Sequence, residues 1–326
     1  MKLGLVGLGY WGPNLARNFD DLPGVDLAWL CDLDGERLAR YGARYRDART
    51  TTRFEDLLED RAVEAVVVAT PVVTHAELAR AALLAGKHVL VEKPLALSAE
   101  EAEELVGLAG ERDLVLLPGH LLLYHPAVAT LKQLVHSGEL GRLLYVYGNR
   151  QNLGQIRRDE NALWSLGAHD VSVILHLLGE EPAECWARGE SFLGERIEDV
   201  VFCYLTFPSG VVAHMHLSWL DPHKMRRMTV VGDRKMAVFD DMELERKVTV
   251  YDKGTEQRTD TYGEWVTRTG DIFVPRLPND EPLRLECEHF LALVRGVGDP
   301  SGPAQAGVAV VRTLETLQAS LEREAV

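Results

Sequence analysis

Apolar runs and polar breaks alternate in a regular order along the first 120 residues. KLGLVG at 2–7, DLAWLC at 26–31, VEAVVVAT at 63–70, KHVLVEK at 87–93 and DLVLLPG at 113–119 read as strands. Between them the apolar positions recur at helical spacing: near 13–20, from Asp34, through 75–85 and near 99–111. Several of the runs are apolar at almost every position, as strands must be when helices cover both faces of their sheet. The alternation predicts an α/β N-terminal domain, a Rossmann doubly wound parallel sheet, over residues 1–121.

After residue 142 the pattern changes. LLYVYGNRQN, EDVVFCYLTF, GVVAHMHLSWL, MRRMTVVGD, KMAVFDD and RKVTVYD follow one another with turn residues between them, and polar and apolar positions alternate most clearly over 211–219. This predicts an α+β C-terminal domain, residues 122–326, built on a large and mostly antiparallel sheet. Two helical patterns, about 282–296 and 304–323, close the chain on either side of the breaker GVGDPSGP.

Composition narrows the function classes. Against 35 Lys and Arg stand 50 Asp and Glu, a formal charge of -15 that repels nucleic acid phosphates and anionic lipid surfaces. No apolar run approaches the ~20 residues of a membrane span, and MKLGLVGLGYWG lacks a secretory pattern, so a cytoplasmic protein is expected. The four cysteines, Cys31, Cys185, Cys203 and Cys287, form no C-x-x-C pair, and His214 and His216 have no carboxylate or thiol at ligand spacing. No metal is expected.

The first predicted turn carries the strongest chemistry. GLGYWGPN places Gly7, Gly9 and Gly12 in G-x-G-x-x-G spacing directly after a strand, with Tyr10 and Trp11 inside the turn and Pro13 suited to a first helical turn. Asp32 ends the second strand 25 residues after Gly7, where a carboxylate accepts both ribose hydroxyls of NAD and repels the 2′-phosphate of NADP. The next arginine, Arg37, falls inside a helix, so the sequence favours NAD. Ligands of open α/β sheets lie beyond the carboxyl ends of the strands, which brings in Thr70, Pro71 and His75 from ATPVVTH, and Glu92 and Lys93 from EKP.

WSLGAHDVSVILH, residues 164–176, reads as a buried helix except that Ser165, His169, Ser172 and His176 form one polar stripe. Buried polar groups need partners, and a substrate crevice would supply them. Oxidation of a secondary alcohol needs a base for the hydroxyl proton, and an imidazole with an unperturbed pKa near ~6.5 suits it. His169 is the candidate base. His176 reads as a core or interface histidine.

The motifs GLGYWG, TPVVTHAELARAALLAGKHVLVEKPLA and LGAHDVSVILHLLG together resemble the Gfo/Idh/MocA oxidoreductases, and the resemblance covers nearly the whole chain. It implies an NAD(P)-dependent dehydrogenase acting on a sugar or cyclitol hydroxyl, and a C-terminal sheet with an exposed face often used for oligomerisation. It also implies that Lys93 and His169 occupy the catalytic lysine and histidine positions. Many members carry Asp four residues before that histidine; here the position is Ser165.

Between the first long strand and the stripe lies NRQNLGQIRRDENALW. Arg150, Arg157 and Arg158 cluster there, with Asn152 and Asn161 as amide donors, either to hold a diphosphate or as a solvated loop paired with Asp159 and Glu160. With GYWGPN and LWSLGAHD the segment resembles members that oxidise nucleotide-linked sugars, for example a UDP-N-acetylhexosamine at its 3-hydroxyl. A free sugar or inositol dehydrogenase and a non-catalytic NAD(H) sensor are the alternatives. Tyr145, Tyr147, Phe202 and Tyr204 give one sheet face an aromatic surface that predicts a homo-oligomer, a dimer or tetramer.

Overall fold

The structure is a computed structural model that describes residues 1–324 apart from 155, 158–159, 195–196 and 258–263. Six strands, β1 (Lys2–Val6), β2 (Asp26–Cys31), β3 (Arg49–Thr51), β4 (Ala65–Val68), β5 (His88–Glu92) and β6 (Leu116–Gly119), form one sheet in the order β3-β2-β1-β4-β5-β6. Every pairing in it is parallel. That order is the doubly wound one, with the chain reversing direction between β1 and β4. Helices α1 (Gly12–Asp20), α2 (Gly35–Arg44), α3 (Glu55–Glu59), α4 (His75–Leu84) and α5 (Ala99–Glu111) make the crossovers. Asp34 starts α2 by accepting from the amides of Glu36 and Arg37, and Ser98 starts α5 by accepting from that of Glu101.

Eight more strands form a second sheet: β7 (Leu143–Gln151), β8 (Glu184–Glu190), β9 (Val200–Thr206), β10 (Val212–Ser218), β11 (Met225–Gly232), β12 (Met236–Asp240), β13 (Val248–Gln257) and β14 (Trp265–Phe273). Their order is β14-β13-β12-β11-β7-β10-β9-β8. All neighbours are antiparallel except β7 and β10. Helices α6 (Pro126–His136) and α7 (Ala168–Leu178) pack within this half, and α7 stops at Gly179, whose φ of 71° is a left-handed C-cap. The helices α8 (Pro282–Val294) and α9 (Ser301–Glu324) close the chain.

The sequence places a domain break after residue 121 and everything beyond it in the second domain. The chain groups into Met1–Tyr124 with Asp280–Arg312, and His125–Asn279 with Thr313–Val326. The reason lies in α8: its buried stripe, Leu283, Cys287 and Phe290, joins the core of the parallel sheet, where Phe290 meets Phe19 of α1 edge to face at 6.2 Å. Arg17 of α1 donates to Glu281 at the start of the same helix. No helix of the described residues is long and apolar enough to cross a membrane, and among them no three metal-ligating side chains come together.

Candidate active site

The turn between β1 and α1 is as tight as its glycines allow. Gly7 has φ 94°, and a Cβ there would lie 2.5 Å from the carbonyl oxygen of Ala69; a Cβ on Gly12 would lie 1.9 Å from that of Gly7. Over Gly9, by contrast, only Nη1 of Arg37 comes within 4 Å of such a Cβ, at 3.9 Å. The backbone at Gly9 is therefore open to a ligand, and the N-terminus of α1 favours an anionic one. Tyr10 is 83% exposed and meets Trp11 edge to face at 5.9 Å.

Asp32 follows β2 and is buried, with Oδ2 accepting from the amide of Leu8 at 2.6 Å and Oδ1 from that of Asp34 at 2.8 Å. These bonds aim the carboxylate from the end of β2 toward the glycine turn. The guanidinium of Arg37 folds back from α2 to within 3.7 Å of the same carboxylate and 3.3 Å of Asp34. An open glycine backbone, a helix N-terminus and a fixed carboxylate fit a dinucleotide. They would hold its pyrophosphate and its adenosine ribose.

The ends of β4 and β5 supply the other expected residues of this half. His75 is not presented outward: it is buried, with Nδ1 2.7 Å from the carbonyl of Pro94 and Nε2 2.9 Å from that of Thr70. It ties the Thr70–Pro71 loop to the Lys93–Pro94 loop, and burial lowers its pKa against the pull of those two carbonyls. Thr70 also accepts from the hydroxyl of Thr74 at 2.7 Å. Glu92 is raised to about 7 by burial, with the Lys93 ammonium pulling the other way, and its Oε2 accepts from the backbone amide of Lys93 at 3.2 Å.

In the other unit several expected substrate residues are engaged within the protein. Arg150 is buried on β7 and donates through Nε and Nη2, at 2.9 and 2.7 Å, to Oδ1 of Asp170. Gly148 leaves the room for this pair, since a Cβ there would approach Oδ2 of Asp170 to 3.2 Å. Asn161 donates to Glu198 at 2.7 Å and Gln318 at 2.9 Å, and accepts from the amide of Trp164. Arg157 pairs with Glu160 at 3.0 Å, and the backbone N–H of Asn152 donates to the carbonyl of Ser218 at 3.1 Å. Arg158 lies outside the described residues.

The polar stripe is answered largely by the protein itself. Residues Leu163–Gly167 form a turn of π-helix ahead of α7, a local register change often found at functional positions. Ser165 accepts from Nε1 of Trp219 at 3.2 Å, and Ser172 donates to the carbonyl of His169 at 2.8 Å. His176, whose Nδ1 lies 3.4 Å from Nζ of Lys132, is pushed down to about 4 by burial first and then by Lys132. His169 is half-buried on the first turn of α7, and its neighbour Asp170 is committed to Arg150.

Sequence reasoning did not single out His120 and Glu286. His120 follows β6 directly, and its ring nitrogens are buried without a hydrogen-bond partner among the described residues; the same holds for both oxygens of Glu286 on α8. A glutamate in the apolar stripe of a closing helix, LRLECEHF, was the signal that could have found the second.

A doubly wound sheet with a dinucleotide turn and an acidic residue after its second strand defines an oxidoreductase of the nicotinamide-binding class. Residues 1–120 match the family described as "Oxidoreductase family, NAD-binding Rossmann fold", and residues 128–238 match the GFO/IDH/MocA C-terminal domain. The chain belongs to the Gfo/Idh/MocA oxidoreductase family. It is 32% identical over 255 residues, 78% of each chain, to UDP-N-acetylglucosamine 3-dehydrogenase of Acidithiobacillus ferrooxidans. A solved structure of that protein, GnnA, superposes with a TM-score of 0.82 at 28% identity, covering 99% of this chain and 98% of the other. GenD2 from gentamicin A biosynthesis, solved in complex with NAD, superposes with a TM-score of 0.80 at 26% identity, covering 99% of this chain and 95% of the other.

Proposed function

We propose that the protein is an NAD-dependent dehydrogenase that oxidises a secondary hydroxyl of a nucleotide-linked sugar. The observation that carries the substrate class is the likeness to UDP-N-acetylglucosamine 3-dehydrogenase, which extends over both halves of the chain. Asp32 supports NAD, because its carboxylate is already oriented by two amides to accept from ribose hydroxyls. Tyr10, Trp11, Thr70 and Pro71 line the cofactor's path, and His75 positions the two loops rather than touching the ligand.

When bound, NAD supplies the hydride acceptor. Lys93 hydrogen-bonds the reacting oxygen, and His169 takes its proton. Ser165 stands where many relatives have Asp, so His169 works with a hydroxyl rather than a carboxylate one turn earlier. Arg157, with its guanidinium at the surface, is the diphosphate contact; Arg150 supports the site from within through Asp170. Four unbridged cysteines support a reducing, cytoplasmic setting. Exposed Tyr145, Trp186, Phe202 and Tyr204 on one face of the large sheet support a homo-oligomer.

The test is reduction of NAD, followed by the absorbance of the reduced nicotinamide, with UDP-N-acetylglucosamine, UDP-N-acetylgalactosamine, myo-inositol and glucose. Turnover with a UDP-sugar is expected, and Lys93→Ala should lower it by about 100-fold or more while NADH affinity is kept. Turnover with inositol or glucose alone would overturn the substrate class. NADH binding with no turnover on any of them would leave a nucleotide sensor.

A further inference from the structure

Three segments leave the same end of the large sheet, all within the second unit. β7 ends at Gln151 beside Ser218, the end of β10; Ser218 stands opposite Val200, where β9 begins, and Val200 opposite Glu190, the end of β8. β11 begins at Met225, opposite Gln151. Beyond these strand ends run 152–162, which leads to His169, then 191–199 and 219–224. Hydrogen bonds join them. Glu198 accepts from Nδ2 of Asn161 at 2.7 Å, and its carbonyl accepts from the backbone N–H of Ala162 at 2.9 Å. The carbonyl of Asp199 accepts from the backbone N–H of Trp219 at 2.9 Å, and the indole of Trp219 donates to Ser165 in the π turn that precedes α7.

Two of these segments carry features that the fold does not require. Phe192 is 69% exposed and Leu193 51%, yet their backbone is held in place: both N–H groups donate to Oδ2 of Asp199, at 2.5 and 2.8 Å, and Asp199 is buried. A buried carboxylate costs free energy unless it is well bonded, and an apolar tip left in water gains nothing from being fixed. The tip is therefore built to be covered. On 219–224, Lys224 is exposed, and among the described residues no carboxylate pairs with its ammonium. The other lysines of the second unit are engaged: Lys132 with His176, Lys235 with Glu139, Lys247 with Asp241 and Lys253 with the ring of Tyr251. Because Met225 pairs with Gln151, the antiparallel register brings Lys224 beside Asn152, where the segment that carries Arg157 sets out. A fixed aromatic surface takes the face of a nucleobase, and ammonium and guanidinium groups take phosphate oxygens.

We propose that Phe192 and Leu193 are the platform for the nucleobase of the nucleotide-linked substrate, and that Lys224 joins Arg157 in holding its diphosphate. The proposal rests on the nucleotide-sugar reading and assigns the residues that recognise the nucleotide. Its test is the binding of UDP to the full chain, saturated with NADH so that the dinucleotide turn is occupied, by titration calorimetry with the oligomeric mass measured alongside. Phe192→Ala should weaken UDP by about 10-fold or more, and Phe192→Tyr, which keeps a ring, by less than about 3-fold. Lys224→Met should weaken it by about 5-fold or more, and Lys224→Arg, which keeps the charge, by less than about 3-fold. NADH affinity and oligomeric mass should stay native in all four, which shows each variant to be folded. Native UDP affinity in Phe192→Ala or in Lys224→Met overturns the proposal. So does a loss that appears only together with a change in oligomeric mass, because a second copy of the chain then covers the tip. A native protein that binds no UDP removes the nucleotide-sugar reading as well, whereas UDP bound equally by the native protein and Phe192→Ala removes the platform alone.

Discussion

At the scale of single residues, the proposed preference for NAD turns on Asp32. Its carboxylate is positioned by the Leu8 and Asp34 amides, and the Arg37 guanidinium lies 3.7 Å away. Removing the carboxylate should release that arginine for phosphate. Asp32→Ala is expected to raise the ratio of kcat/KM for NADP over NAD by about 10-fold or more, measured with the same substrate. Glycines, Asp32, Glu92 and Lys93 were legible as candidates because backbone sterics and strand-end placement leave a mark in the sequence. The partners of Arg150 and Asn161 were not legible: Asp170 and Gln318 stand 20 and 157 residues away, and no spacing rule connects them.

At the scale of elements, the apolar pattern located most of the strands and helices, and the misses have physical causes. β3 has only three residues, and β8 (ECWARGE) and β14 (WVTRTGDIF) lie at the two edges of the large sheet, so they carry the polar residues expected of edge strands and little alternation. The π turn before α7 is invisible to a 3.6-residue period. Helix α8 was found, but not the core that it completes, because an amphipathic stripe does not say which sheet it faces. Its docking on α1 is testable. Phe290→Ala leaves a cavity against Phe19 and is expected to lower stability by about 3–5 kcal/mol, read from chemical denaturation of the full chain.

For the whole molecule the buried titratable groups set how stability varies with pH. His120 and His176, both held near 4, refuse protons that the unfolded chain accepts below about 6.5, so their contribution is lost as pH falls through that window. Glu92, near 7, and Glu286, raised well above the ordinary carboxyl range by burial, act with the opposite sign: the folded chain keeps protons that the unfolded chain has released, and stability falls as pH rises. The four cysteines, all raised by burial, act with the same sign as pH rises through about 8.5, so Glu286 is read from the difference between the native protein and Glu286→Gln. The native protein is expected to lose stability more steeply than Glu286→Gln as pH rises above the ordinary carboxyl range, as measured by denaturation at each pH.

The sequence by itself determined the doubly wound first half, the dinucleotide turn, the antiparallel character of the second sheet and the family, because each is written in short-range periodicity or in residues that the backbone requires locally. Only the tertiary structure decided that α8 belongs to the first unit, that Arg150 turns inward to Asp170, and that Glu286 on α8 is buried with its oxygens unpartnered among the described residues. Those facts depend on packing between segments far apart in the chain, where the energy of a contact is decided by three-dimensional neighbours that local patterning does not encode.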